Sequence, residues 1–223
     1  MFSSNLGKKL DKYHLLKHPF YQFYWNEGKL NREIIKDYAE QYYQHVKAFP
    51  RYISATHSIC EDIEKRRILL ENLQDEENKD GDHPKLWKNF AKALGADENE
   101  IENVKLDWFT KDMIENFFSQ ARKSYAEGLA SLYTYERQIP EIAETKIQGL
   151  KKFYGVSSNE GLEFFEAHKS ADVIHRAECE KLLDGLSKEE QVKAETASLL
   201  TARYLWNFLS GMTSKHKLQT IAA

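Results

Sequence analysis

Apolar residues along this chain recur at intervals of three and four and almost never alternate. That period belongs to amphipathic helices and not to strands. Val, Ile and Thr form no alternating runs, and glycine and proline number only 10 and 4, so breaks are few. A short aromatic segment lies between "KHPF" (17–20) and "NEGKLN" (26–31). Asn31 is placed to cap a helix reaching about residue 58, bent at Pro50. Further helices are predicted over 60–77, 85–95, 107–138, 139–154, 158–185 and 188–211. The polar loop "NKDGDHP" follows the first of these, and a charged connector follows the second. A glycine closes 85–95, and Ser187 with Glu190 forms a capping-box pattern. There is no internal repeat and no interdomain linker. The pattern predicts an all-α fold, a single helical bundle spanning 1–223.

Composition narrows the function classes. The 32 basic and 35 acidic residues are well mixed, for a net charge of −3, which disfavours nucleic acid or an anionic membrane as the main partner. No apolar run approaches the ~18 residues of a membrane helix. The N-terminus has no apolar signal region. With Cys60 and Cys179 far apart in sequence, the expectation is a cytoplasmic protein with two reduced thiols.

The chemistry concentrates in "HKSADVIHRA", 168–177. His168, Asp172 and His175 are spaced by four and three, within an arc of about 60° on a helix. They continue a stripe with Phe164, Cys179 and Leu182, so the trio faces inward. A buried aspartate costs several kcal/mol unless it is paired or coordinated. A cation would satisfy two imidazoles and a carboxylate together, and a core hydrogen-bond cluster is the alternative. Three such groups are too few for a closed site, so partners must come from elsewhere. Glu136 completes an apolar stripe with Leu129 and Leu132, either as a ligand or as the partner of a core Arg or Lys. "DEENKDGDHP" (75–84) offers Asp75, Glu76 and Glu77 as alternatives, and His83 with its backbone restricted by Pro84. Carboxylates and histidines from several helices suit a dinuclear site in a bundle core, although the Glu-x-x-His pair of ferritin-like bundles is missing. Tyr38, Tyr42, His45, Phe49 and Tyr52 form a second stripe. Its hydroxyls need partners if buried, which points to a polar pocket, where packing alone is the plainer reading.

The strings "HPFYQFYWNEGKL", "YAEQYYQHVKAFPRYISATHS", "LLENLQDEEN", "LYTYERQIPEIAETKI" and "HKSADVIH" resemble the family of the Chlamydia protein associating with death domains. That family sits in the haem-oxygenase-like group with TenA-type thiaminases and pyrroloquinoline-quinone synthase C. The resemblance covers about residues 18–210, and the tail after about 212 has no match. It implies a seven-helix haem-oxygenase-like bundle without haem, holding two iron ions, or iron and manganese, on Glu76, His83, Glu136, His168, Asp172 and His175. It therefore selects Glu76 over its neighbours. It also implies O2 activation with an external reductant and release of p-aminobenzoate for folate synthesis. In that chemistry Tyr21 supplies the ring, Lys146 the nitrogen, and Tyr38 and Tyr135 lie near the site. Without the resemblance Lys146 reads as a solvated helix lysine. Dimers are common in the fold. The competing expectations are an oxidase on an external small molecule, a thiaminase using Cys179 as nucleophile, and an interaction protein for host death-domain proteins.

Overall fold

In the computed structural model, residues 1–79 and 81–218 are described, the side chains of 170 and 171 excepted. The described residues are helical, with no strand among them. The helices are α1 (Phe2–Leu10), α2 (Arg32–Ser58), α3 (Ile63–Glu76), α4 (His83–Ala93), α5 (Glu98–Asn103), α6 (Trp108–Lys123), α7 (Tyr125–Glu136), α8 (Ile139–Phe153), α9 (Asn159–Asp184) and α10 (Lys188–Lys215).

This division is finer than seven helices, for local reasons. The helix expected over 107–138 is broken at Ser124, whose backbone is extended (φ −157°, ψ 161°). Its side chain accepts from the N–H of Glu127 and starts α7, the competing hydrogen bond that makes serine a good cap and a poor interior residue. The charged connector contains α5, begun by a capping box between Asp97 and Glu100. The N-terminal segment adds α1, which buries Leu6 and Leu10. Elsewhere the expected caps recur. Asn31 accepts from Ile34 N–H, and Ser187 and Glu190 form a reciprocal capping box. Gly95, at φ +90°, follows α4, in the left-handed region where glycine carries no penalty. Helix α2 continues through Pro50, and α10 carries the tail to Lys215. Residues 219–223 lie outside the described ones.

Helix α7 organises the bundle, packing against α10, α6, α9 and α2. Every residue from Ala126 to Glu136 is buried. Glu136 is therefore interior whatever its spacing from Leu129 and Leu132. Between α1 and α2, Phe20–Trp25 forms a π-helical turn in which Asn26 N–H reaches the carbonyl of Tyr21 at 3.0 Å. Such turns are rare and frequent at functional sites. Trp25 seats this turn against α8 at Gly149, where a Cβ would lie 2.4 Å from the indole nitrogen.

Candidate metal centre

Four helices converge on the interior with ligand-type side chains. Glu76 comes from the last turn of α3 and His83 from the first residue of α4, across the intervening loop. Leu69, Asn72 and Glu76 are the buried residues of α3, so its inward stripe runs 69–72–76. Glu77 is exposed and so is Asp75, which distinguishes Glu76 structurally from its neighbours. Ile68 and Leu73, on the flanks of that stripe, are only half-buried. From α9 come His168, Asp172 and His175, all buried, with Phe164, Cys179 and Leu182 on the same buried stripe. Glu136, at the end of α7, completes the set and is also buried.

These residues form two groups of three, Glu76–His83–His168 and Glu136–Asp172–His175, each with ligand atoms within 4.8 Å of one another. In the first, His83 Nδ1 lies 2.8 Å from Glu76 Oε2 and His168 Nε2 lies 4.0 Å from Glu76 Oε1. In the second, His175 Nδ1 is 3.5 Å from Asp172 Oδ1 and 4.0 Å from Glu136 Oε1.

The hydrogen bonds select the free lone pairs. Nδ1–H of His168 donates to the Phe164 carbonyl at 2.7 Å, leaving Nε2 to face the centre. His175 uses the opposite nitrogen, with Nε2–H donating to Asp75 at 3.0 Å. An outer carboxylate or carbonyl that fixes the ring and its tautomer is the usual support of a metal-bound histidine. Asp172 Oδ2 and His175 Nδ1 are buried with no hydrogen-bond partner, and His83 Nδ1 has only the Glu76 carboxylate beside it; such buried groups are costly unless something else satisfies them. A cation in each triad would do so. Carboxylate and imidazole donors suit divalent first-row metals.

The electrostatics agree. Burial and the neighbouring Asp172 raise the Glu136 carboxyl to about 8. Burial also raises Asp172, against the pull of the neighbouring His175 imidazole. For His175, burial acts downward, but Asp172 and Glu136 carry it up to about 9. His168 is held well below its ordinary value by burial and by His83. Crowded carboxylates that resist ionisation in the absence of a cation are suited to binding one.

Beside the first triad lies a largely enclosed cavity whose walls include Tyr21, Tyr38, Tyr42, Tyr135, Lys146 and His168. Lys146 is buried, 4% exposed, so it is not the solvated lysine that spacing alone suggests. Its Nζ donates to the Tyr38 hydroxyl at 2.6 Å and lies 4.7 Å from the centre of that ring. Burial lowers its pKa to about 7. Burial raises Tyr21, while the Tyr38 hydroxyl hydrogen-bonds to it and pulls the other way. Tyr135 bonds to Tyr42 in the same manner. The second stripe thus divides. Tyr38 and Tyr42 face the cavity, their rings stacked at 5.5 Å, whereas His45 and Tyr52 are packed among aromatic rings with no polar partner.

Three further residues bear on the site. Asp75 supports His175. Asn72 Nδ2 donates to Glu136 Oε1 at 2.6 Å, and the Cys179 thiol lies 3.6 Å from Glu136 Oε2. Cys179 is on the inward stripe but is not part of the cavity wall. Burial and Glu136 raise its pKa, the opposite of what a nucleophilic thiol requires. The carboxylates on α8 are solvated and paired, Glu141 with Arg176 and Glu144 with Lys169.

The sequence pattern of the TENA/THI-4/PQQC family matches residues 4–215. The chain is 42% identical to a 4-aminobenzoate synthase of Chlamydia pneumoniae over 207 residues, 92% of each protein. Among solved structures, it resembles a TenA homologue from Pseudomonas syringae pv. tomato with a TM-score of 0.83 and 16% identity, covering 96% of this chain and 93% of the other. It also resembles a Shewanella denitrificans domain of unknown function described as having a haem-oxygenase-like fold. There the TM-score is 0.80 and the identity 14%, with 96% of this chain and 91% of the other covered.

Proposed function

Because the chain belongs to the TENA/THI-4/PQQC family and shares so much of its sequence with a 4-aminobenzoate synthase, we propose that it is a 4-aminobenzoate synthase. In this reading it is an oxygen-dependent dimetal enzyme that takes the ring from its own Tyr21 and the nitrogen from Lys146, and supplies folate synthesis. The observation that carries the self-consuming part is the cavity. Four tyrosines and an amine already form its walls, so a ring source and a nitrogen source stand together without an added substrate.

Glu76, His83 and His168 would hold one metal and Glu136, Asp172 and His175 the other, as two irons or iron with manganese. Once bound, such a pair supplies the activation of O2, with electrons from an external reductant. The protein's own residues do the rest. Burial keeps a large fraction of Lys146 as the neutral amine near pH 7, and only that form has a lone pair to give. The Tyr38 hydroxyl, bonded to Lys146 on one side and to Tyr21 on the other, aligns nitrogen source and ring source and offers a proton path between them. Tyr135 holds Tyr42 in the wall and is adjacent in sequence to Glu136, linking the cavity to the metal-bearing end of α7. The apolar wall of Trp87, Phe165 and Phe208 excludes water.

An oxidase acting on an external molecule leaves unexplained why the buried amine of Lys146 stands beside Tyr38 in the cavity. A thiaminase would need a thiol in it, and Cys179 is turned to Glu136 instead.

Protein loaded with iron and given O2 and a reductant, with no organic substrate, should release p-aminobenzoate to at most one molecule per chain. Tyr21→Phe should bind the same metals and release none. Equal release from Tyr21→Phe would overturn the self-consuming reading.

A further inference from the structure

Glu136 is the one carboxylate of the second triad that comes from α7, whereas Asp172 and His175 share α9. Its orientation must therefore be set across helices. We propose that Asn72 and Cys179 are positioning residues for Glu136, each engaging one of its carboxylate oxygens so that the side chain meets the second metal with its lone pairs already aimed. The inference rests on the dimetal reading above.

The two contacts come from the two helices that carry the neighbouring ligands. Asn72 is one turn before Glu76 on α3, and Cys179 is one turn after His175 on α9. Asn72 donates to Oε1 at 2.6 Å and Cys179 to Oε2 at 3.6 Å. Both are nearly inaccessible, at 4% and 3% exposure, so neither contact competes with bulk water. Each bond occupies one direction at its oxygen and leaves another lone pair on the same atom. The carboxylate is thus held without being used up.

The amide of Asn72 is itself incompletely satisfied. Its Oδ1 is buried with no partner. Burying an unpaired amide oxygen is unfavourable, and an apolar side chain of similar size would avoid the cost. An asparagine kept for packing alone does not account for this arrangement. One whose amide nitrogen serves Glu136 does.

Metal binding and folding can be read separately. The test titrates metal-free wild type, Asn72→Leu, Cys179→Ala and Cys179→Ser with Mn2+ against a competing chelator, and melts each metal-free protein. Wild type should bind two ions. Asn72→Leu should weaken one of the two by roughly ten- to a hundred-fold, as loss of an outer-sphere partner typically does, and leave the other unchanged. Cys179→Ala should weaken the same ion by less. Cys179→Ser, which keeps a donor, should restore it. In a Glu136→Ala background Asn72→Leu should add nothing further, the non-additivity expected if it acts through Glu136. The metal-free melting temperature of Asn72→Leu should not fall.

Wild-type affinity for both ions in Asn72→Leu and Cys179→Ala would overturn the inference while leaving the dimetal site intact. So would equal weakening of both ions together with a lower metal-free melting temperature, since that is the signature of a structural role. Wild type that takes up no Mn2+ or Fe2+ would overturn the dimetal reading and this inference with it.

Discussion

The amine of Lys146 donates to the hydroxyl of Tyr38 at 2.6 Å inside a cavity that Tyr21 also lines. A buried lysine with no carboxylate partner loses its proton readily, and here burial lowers its pKa to about 7. If the neutral amine supplies nitrogen, the single-turnover rate should rise with pH through about 7 and level off above it. Rapid-quench measurement of p-aminobenzoate across that range checks this. Lys146→Arg cannot deprotonate, so it should abolish release while keeping its metals. The same group contributes to stability with a definite sign. Its folded pKa lies below the ordinary 10.5, so the unfolded chain binds more protons between those values and stability from this group rises with pH across them.

In the proposed reaction the hydroxyl of Tyr38 would orient without being consumed. Tyr38→Phe keeps the ring stacked between Phe20 and Tyr42 and removes the hydroxyl's hydrogen bonds to Lys146 and Tyr21, each worth roughly 1 kcal/mol. Release should slow by about ten-fold or somewhat more, with unchanged metal content and yield per chain. Measuring rate and yield separately distinguishes this from Tyr21→Phe, which should lose the yield itself.

Asp75 is exposed yet holds the outer nitrogen of His175. Asp75→Asn should weaken binding of one metal by about ten- to a hundred-fold and leave its partner bound. Competition titration reads the effect directly. Equal affinity in the variant would mean that the Asp75 contact does not support the ligand.

Glu136 is raised to about 8 by burial and by Asp172. A folded value above the unfolded one means that stability present below the ordinary carboxylate range is lost as pH rises through the folded value. Metal-free wild type and Glu136→Gln should therefore melt alike at about pH 5, and the variant should be the more stable at about pH 8.5. Thermal melts at the two pH values test this. Bound metal should reverse the order, since the variant loses a ligand.

Parts of this molecule are legible in its sequence for physical reasons. The 168–172–175 stripe is readable because α9 has one buried and one exposed face over those turns, Val173 and Ile174 lying outward. The caps at Asn31 and Ser187 are readable because they are local. Other parts are hidden. Helix α7 is buried on every side, so no period marks Glu136 as special. Ser124 interrupts a continuous apolar pattern through its own capping bond, which periodicity does not detect. Lys146 looks like a surface residue because its burial comes from the rings of α2, α4 and α9. Asn72 had a usable signal, being a polar residue on the inward side of α3 four positions before Glu76. Asp75 is legible only as an alternative ligand to Glu76, and its support of His175 has no signal, since an exposed acid at a helix end is ordinary until His175 is seen beside it.

The most direct test of the central claim is isotopic. The protein is produced with tyrosine carrying heavy carbon in its ring, freed of small molecules, loaded with iron, and supplied with O2 and a reductant. The released p-aminobenzoate is then weighed by mass spectrometry. Self-consumption predicts a fully ring-labelled product, at most one per chain, with matching loss of mass at Tyr21. An unlabelled product, or a labelled one with Tyr21 intact, would contradict it.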